Sequence, residues 1–267
     1  MAVYPPLASL MPGAEPFRFD GAGDTACLLV HGFTGSAHEL CDLGRHLAGQ
    51  GITARGLLLS GHGTRPEDMA RFSHRDWIAD VDAALDELLA EGKRVFLCGL
   101  SMGGTLALNV AARRVHEPGL AGVITLAAPL RLADWRLRFV PIVGWIVRWQ
   151  NWGRPDIKDE RQWERHVAYG RFHVRALVQL LRLLRETRRL VPRVAQPLLV
   201  IQSRSDNTVP PFNAELIMSS VASRDRQLVW LENCFHVVTL DYDSDYVQGA
   251  VTAFIKEHSD QWTPGAS

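Results

Sequence analysis

The residues best suited to chemistry stand in the hexapeptide Gly99-Leu100-Ser101-Met102-Gly103-Gly104. It holds a G-x-S-x-G pattern between an apolar run, Arg94-Val95-Phe96-Leu97-Cys98, and a helix-forming one, Thr105-Leu106-Ala107-Leu108-Asn109-Val110-Ala111. Strand, tight turn and helix in that order are the sequence form of a nucleophile elbow. The central residue of such a turn takes a strained backbone conformation, and side chains at Gly99 and Gly103 would collide with neighbouring strands. The turn lifts the Ser101 hydroxyl clear of the sheet and sets it at a helix N-terminus, whose dipole favours negative charge. The same pattern also arises by chance in Gly- and Ser-bearing chains, so the other parts of a site must be found independently.

A serine hydroxyl is a poor nucleophile unless a base takes its proton, and an acid must hold that base in the right tautomer. With this elbow the parts follow in chain order Ser, acid, His, at the ends of the last two strands. Asp206 lies just beyond the run Leu198-Leu199-Val200-Ile201-Gln202, and His236 just beyond Gln227-Leu228-Val229-Trp230-Leu231. The competitors fit less well. His31 and His62 precede Ser101 and each is followed by glycine, which suits a loop-shaping role. His166, His173 and His258 sit where solvated or structural roles are the ordinary expectation. Asp241 and Asp243 follow His236 too closely to orient it, and Cys234 lies far from the elbow. An oxyanion formed at Ser101 needs two backbone donors. The elbow rule supplies one from Met102 and one from the loop after an early strand, here the Phe33 amide of His31-Gly32-Phe33. Core packing is the alternative role for Phe33, and one residue can do both.

These residues need a scaffold that brings distant loops to one edge. Phe17-Arg18-Phe19 reads as a short first strand. Ala26-Cys27-Leu28-Leu29-Val30 is a continuous apolar run of the kind buried parallel strands show. A helix capped by Ser36 and running to about Gly51, a strand over Ile52–Leu59 and a helix over about Trp77–Ala90 follow. The elbow strand, its helix and Gly122–Ala127, taken as a sixth strand, come next. Alternating strands and helices imply a mostly parallel, doubly wound α/β sheet, with ligands bound beyond the carboxyl ends of the strands. The loops His31–Gly35, Gly61–Gly63 and Gly99–Gly103 all fall at such ends.

Between Pro129 and Pro197 the alternation stops, and no strand is evident. The domain expectation is therefore a core of residues 1–128 and 195–267. A small helical cap, residues 129–194, is inserted between the sixth and seventh core strands. Val174–Leu190 is amphipathic, with Leu177, Leu180, Leu181 and Leu184 on one face and Arg175, Arg182, Arg185 and Arg189 elsewhere. Trp145, Trp149 and Trp152 recur at one helical face, with Ile142 a turn earlier. They read either as an apolar wall for a substrate chain or as packing between cap and core, and Pro141 and Gly144 argue against one continuous helix.

The 267 residues carry 29 basic and 29 acidic side chains, so global electrostatics do not favour nucleic acid. The balance conceals an asymmetry, since residues 131–193 hold 15 basic and 6 acidic side chains. That stretch makes contact of the cap with a micelle or a membrane surface an option. The four cysteines lack metal or disulfide spacing, no run matches a membrane span of about 20 apolar residues, and residues 1–20 do not read as a signal peptide. A cytoplasmic protein with reduced thiols is expected, and the sequence leaves its oligomeric state open.

Several motifs together resemble bacterial carboxylesterases and monoacylglycerol lipases of the α/β-hydrolase superfamily. They are Gly13-Ala14-Glu15-Pro16-Phe17, His31-Gly32-Phe33-Thr34-Gly35-Ser36, Gly61-His62-Gly63, Gly99–Gly104 and His236-Val237-Val238-Thr239-Leu240-Asp241. The likeness spans nearly the whole chain. It implies Ser101 as nucleophile, Asp206 as acid, His236 as base, Phe33 and Met102 as oxyanion donors, and a helical cap over an acyl-binding tunnel. Ser203 and Thr208 depart from the family pattern, both on the loop that must present Asp206. The expected reaction is hydrolysis of short-to-medium acyl esters, monoacylglycerols among them, through an acyl-Ser101 intermediate with no metal or organic cofactor. An acyltransferase or amide hydrolase would use the same triad, and a catalytically inactive binding module would usually lack one of its members.

Overall fold

The structure is a computed structural model that describes residues 8–133, 148–151 and 153–260. In chain order its elements are β1 (Phe17–Phe19), β2 (Thr25–Val30), α1 (Cys41–Gly49), β3 (Thr53–Leu57), α2 (His74–Ala90), β4 (Arg94–Leu100), α3 (Met102–Arg113) and β5 (Leu120–Leu126). They continue with β6 (Trp149–Asn151), β7 (Arg171–His173), α4 (Val174–Leu190), β8 (Leu198–Ser203), α5 (Phe212–Ser220), β9 (Arg226–Leu231) and α6 (Ser244–Asp260).

Seven strands form one sheet in the order β1-β3-β2-β4-β5-β8-β9, parallel except for β1, which runs antiparallel to β3. The apolar runs have no polar alternation because both faces are covered. Ala26, Leu28 and Val30 of β2 pack with Val95 and Leu97 of β4 against Trp77, Leu85 and Leu106 of α2 and α3. Their neighbours Cys27, Leu29, Phe96 and Cys98 face Leu43 and Leu47 of α1 and Val251 and Phe254 of α6. Each such Leu or Phe contributes about 1.5–3 kcal/mol on leaving water.

Several boundaries differ from the sequence reading. The strand at Leu120–Leu126 is the fifth of the sheet, not the sixth, since only β1, β2, β3 and β4 precede it. The insertion therefore lies between the fifth and sixth strands of that sheet. Ser36 does not cap a helix: its hydroxyl donates to the Val167 carbonyl at 2.7 Å, and α1 begins only after the 3₁₀ turn Ala37–Leu40. Helix α2 starts at His74, where Ser73 and Asp76 form a reciprocal capping box.

The insertion contains two strands that sequence patterning does not reveal. β6 and β7 form an antiparallel ribbon of three residues each, too short for a periodic signal. The amphipathic helix expected over Val174–Leu190 is α4, with the same limits. Its Leu180, Leu183 and Leu184 enter the apolar cluster of α3, and Asn109 of α3 donates to Thr187 at 2.9 Å. No helix among the described residues is long and apolar enough to cross a membrane.

Candidate active site

Ser101 sits between β4 and α3 with φ 53° and ψ −119°. A non-glycine residue held there stores about 1–3 kcal/mol of backbone strain, which the surrounding structure must over-determine. Two glycines make the turn possible. A Cβ on Gly103 would lie 2.0 Å from the Val30 carbonyl oxygen of β2, the strand collision expected. One on Gly99 would lie 2.1 Å from the Gly103 backbone, so that glycine clears the helix rather than a strand. The Ser101 amide donates to Leu126 at 2.7 Å, and its carbonyl accepts from Gly104 and Thr105.

The loops after β8 and β9 bring the other two groups to this point. His236 Nδ1 lies 2.9 Å from Asp206 Oδ2, and its Nε2 lies 2.9 Å from Ser101 Oγ. A carboxylate can only accept, so Nδ1 carries the proton and Nε2 is free to accept from the serine hydroxyl. Asp206 is itself oriented: Oδ2 also accepts from Gln202 Nε2 at 2.9 Å, and Oδ1 accepts from the amides of Thr208 and Val209 at 2.9 and 2.7 Å. Burial would push the His236 imidazole down. The charge and hydrogen bond of Asp206, with smaller contributions from the charges of Asp156 and Glu39, outweigh it and raise the ring above its ordinary value. Such an arrangement can take the proton from a serine hydroxyl and stabilise the imidazolium that results.

The two departures from the family pattern serve this geometry. Ser203 Oγ donates to the Cys234 carbonyl at 2.6 Å and accepts from the Ser205 amide at 3.0 Å, tying the acid loop to the base loop. Thr208 contributes its amide to Asp206 and its hydroxyl to Asp156 at 2.8 Å. The rejected candidates are placed elsewhere. Asp241 accepts the amides of Lys158, Asp159, Phe235 and Tyr242 and so anchors backbone. Asp243 accepts the Asn233 amide. His62 is buried against His31, Trp77 and Tyr169. His173 accepts from the Arg175 amide at the start of α4, and His258 pairs with Asp225. Cys234 is a buried thiol that burial pushes up to about 12.

Phe33 and Met102 lie on the cavity wall with Ser101. Met102 is the first residue of α3, whose leading amides have no partner within the helix. The amide of Phe33 shares a planar peptide group with the Gly32 carbonyl, so holding one end aims the other. That carbonyl accepts from His31 Nδ1 at 2.8 Å and from the Gly35 amide at 3.2 Å. His31 Nε2 accepts from the Leu59 amide at 3.1 Å, which leaves the ring proton on Nδ1. The Phe33 ring meets Trp77 and Phe172 edge to face, so this residue packs as well.

Groups that sequence reasoning passed over come largely from the insertion. The Asp156 carbonyl accepts the amides of His236 and Val237 at 3.0 and 3.2 Å, while its carboxylate accepts from Asn207 and Thr208. Tyr169 donates its amide to the Thr34 carbonyl at 2.9 Å and its hydroxyl to Gly61 at 3.1 Å. Nothing in the local sequence marks either residue, because both act on loops far away in the chain. Gln202 had a signal: a polar side chain directly after the apolar run Leu198–Ile201 of a buried strand.

A cavity of about 970 Å³ opens above Ser101 and His236. Leu132, Phe172, Val174, Leu177 and Leu180 give it an apolar side. Trp149 does not lie on a helical face as its spacing suggested. It begins β6, its ring edge-on to His173 with centroids 5.2 Å apart and Arg171 stacked 4.7 Å from its centre. The neighbouring Gln150 reaches the cavity instead. Ile142, Trp145 and Trp152 lie outside the described residues.

A serine, histidine and aspartate in relay at the carboxyl edge of this sheet define a serine hydrolase of the α/β-hydrolase superfamily. Residues 22–243 match the family described as serine aminopeptidase, S33 (Hydrolase_4), and the chain belongs to it. The chain is 34% identical over 265 residues to the thermostable monoacylglycerol lipase of Bacillus sp. (strain H-257), covering 96% of this chain and 98% of that one. It is 29% identical over 245 residues to a carboxylesterase of Bacillus subtilis (strain 168), covering 91% and 96%. Among solved structures it matches one reported for the metagenome-derived lipolytic enzymes LipS and LipT at a TM-score of 0.88 and 36% identity, over 94% of this chain and 100% of that one. These relatives place it with the bacterial carboxylesterases and monoacylglycerol lipases, as a lipase/esterase-type hydrolase.

Proposed function

We propose that this enzyme cleaves short-to-medium acyl carboxylic esters in two steps through an acyl-Ser101 intermediate, with monoacylglycerol as a specific candidate. His236 takes the Ser101 proton as Oγ attacks the ester carbonyl carbon, and Asp206 holds the ring and offsets its charge. The carbonyl electrons move onto oxygen, where the amides of Phe33 and Met102 receive the oxyanion. Collapse expels the alcohol, protonated by His236. Water then attacks the acyl-serine, giving its proton to His236, and the free acid leaves with Ser101 restored. The observation that carries this reading is the Asp206–His236–Ser101 relay, 2.9 Å at each link, beneath a cavity with an apolar side. The lipase named among the relatives supports a lipid ester as substrate.

Residues 129–194 would form the cap, with Leu132, Phe172, Leu177 and Leu180 receiving the acyl chain. The exposed Arg175, Arg182, Arg185 and Arg189 of α4 would face an anionic micelle or membrane surface. Hydrolysis of p-nitrophenyl esters across acyl lengths, with monoacylglycerols alongside, tests the assignment. Ser101→Ala should lower turnover by about 10⁴-fold or more, and undiminished turnover would overturn it. The family description, a serine aminopeptidase, keeps amide cleavage as a second reading. Product analysis with peptide amides, and with added alcohols or amines as acceptors, separates hydrolase, amidase and acyltransferase.

A further inference from the structure

Glu39 is a carboxylate buried beside the elbow, and the reaction above makes no use of it. It lies in the 3₁₀ turn that follows the His31–Ser36 loop. Its Oε2 accepts the Gly32 amide at 3.0 Å. Its Oε1 lies 2.9 Å from His166 Nε2, which must donate because a carboxylate only accepts. Its backbone carbonyl accepts from Thr239 Oγ1 at 2.6 Å, three residues beyond His236. A Cβ on Gly35 would lie 2.3–2.5 Å from the carboxylate atoms, so the loop is folded closely around this group. One on Gly32 would lie 3.4 Å from both Glu39 Oε2 and Ser101 Cβ, which shows how near the carboxylate comes to the nucleophile.

We propose that Glu39 is a positioning residue for the oxyanion loop: its carboxylate holds the Gly32 amide while His166, reaching in from the insertion, orients that carboxylate. His31 and Gly35 hold the carbonyl end of the Gly32–Phe33 peptide, and Glu39 holds the peptide before it. With the units on both sides of the Gly32 Cα secured, the Phe33 N–H has one direction left, although glycine alone would allow many. The charge state suits the role. Burial would push the Glu39 carboxyl up, but the His166 hydrogen bond and charge, His31 and the Gly32 amide hold it below the usual range. The insertion therefore reaches the chemistry through a side chain, and cap placement and oxyanion geometry are linked. Ser36 Oγ on the Val167 carbonyl and the Tyr169 amide on the Thr34 carbonyl run in parallel with that link.

The inference rests on Phe33 N–H being an oxyanion donor. Its test is steady-state ester hydrolysis by Glu39→Ala, Glu39→Gln and His166→Ala, with active sites counted by fluorophosphonate labelling of Ser101. Removing one donor outright typically costs about 10²–10³ in turnover, so a misaimed donor should cost about 10–100-fold. Glu39→Ala is expected to lower kcat per active site by that amount with KM altered less than about threefold. Glu39→Gln keeps an acceptor for the Gly32 amide and should recover most of the loss. His166→Ala should fall in the same direction by about 3–10-fold and add little to Glu39→Ala, as members of one network do. Unchanged kcat in Glu39→Ala, a loss seen in KM alone, or a Gln variant as impaired as Ala would overturn the proposal. If Glu39→Ala fails to fold, His166→Ala and Glu39→Gln decide it by the same criteria. Ser101→Ala separates the two levels: an active Ser101→Ala sinks the hydrolytic reading, whereas an inactive one beside a fully active Glu39→Ala sinks only this inference.

Discussion

The carboxyl edge of the sheet and the insertion between β5 and β8 are built on different terms. At the sheet edge each reactive group leaves a buried parallel strand by a short loop and is held by several hydrogen bonds. Asp206 alone accepts from Gln202, Thr208, Val209 and His236. The described residues of the insertion include two three-residue strands and an Arg-rich helix, yet they meet the core at the loops around Ser101 and His236. The Asp156 carbonyl holds the base loop, Tyr169 holds the Thr34 loop, and His166 holds Glu39. The core supplies the Ser101–His236–Asp206 relay, and the insertion adds side chains and carbonyls that fix the loops around it.

The largest expected contrast is between two aspartates. Asp206→Asn should lower turnover about 10³–10⁴-fold with the fold retained, because the amide no longer supports the tautomer that His236 needs. Asp241→Asn keeps one oxygen and turns an NH2 donor towards two of the four amides the carboxylate accepts, so it should instead cost stability, about 1–3 kcal/mol in a denaturant titration. The reverse pattern would break the division of roles. The pH profile sharpens it. His236 must be neutral to act as base, and its folded value is raised above the ordinary 6.5. The acid limb of kcat/KM should therefore lie above 6.5 and move to lower pH in whatever activity Asp206→Asn retains. A limb below 6.5 in the unmodified enzyme would show that the Asp206 charge does not govern the ring.

Tyr169→Phe tests the insertion side. It removes the hydroxyl that meets Gly61 and Thr64, and about 1 kcal/mol of stability should go with it. Turnover should change less than about threefold, because the Tyr169 amide still holds the Thr34 carbonyl. Trp149→Ala should have the smallest catalytic effect. Its ring packs on His173 and Arg171, so the acyl-length preference across p-nitrophenyl esters should stay put while the melting temperature falls slightly. A shifted preference would make Trp149 itself part of the substrate wall.

The elbow, the strand runs and the positions of Asp206 and His236 were legible because each follows from a local rule. A buried parallel strand must be apolar on both faces, and a G-x-S-x-G turn must carry glycine where backbones meet. The order Ser, acid, His follows the strand order. Val174–Leu190 was legible for the same reason, since a long amphipathic helix repeats its signal many times. The ribbon of β6 and β7 was not, because three residues carry no period and its pairing joins positions far apart in sequence.

The sequence by itself determined the nucleophile elbow, the strands that frame it and the two loops that complete the relay, all features written in neighbouring residues. Only the tertiary structure decided that Glu39 grips Gly32, that His166 grips Glu39 and that Asp156 steadies His236. Those contacts span up to 127 residues of chain. Their physical basis is the burial of polar groups, each of which must find a partner wherever the fold places one.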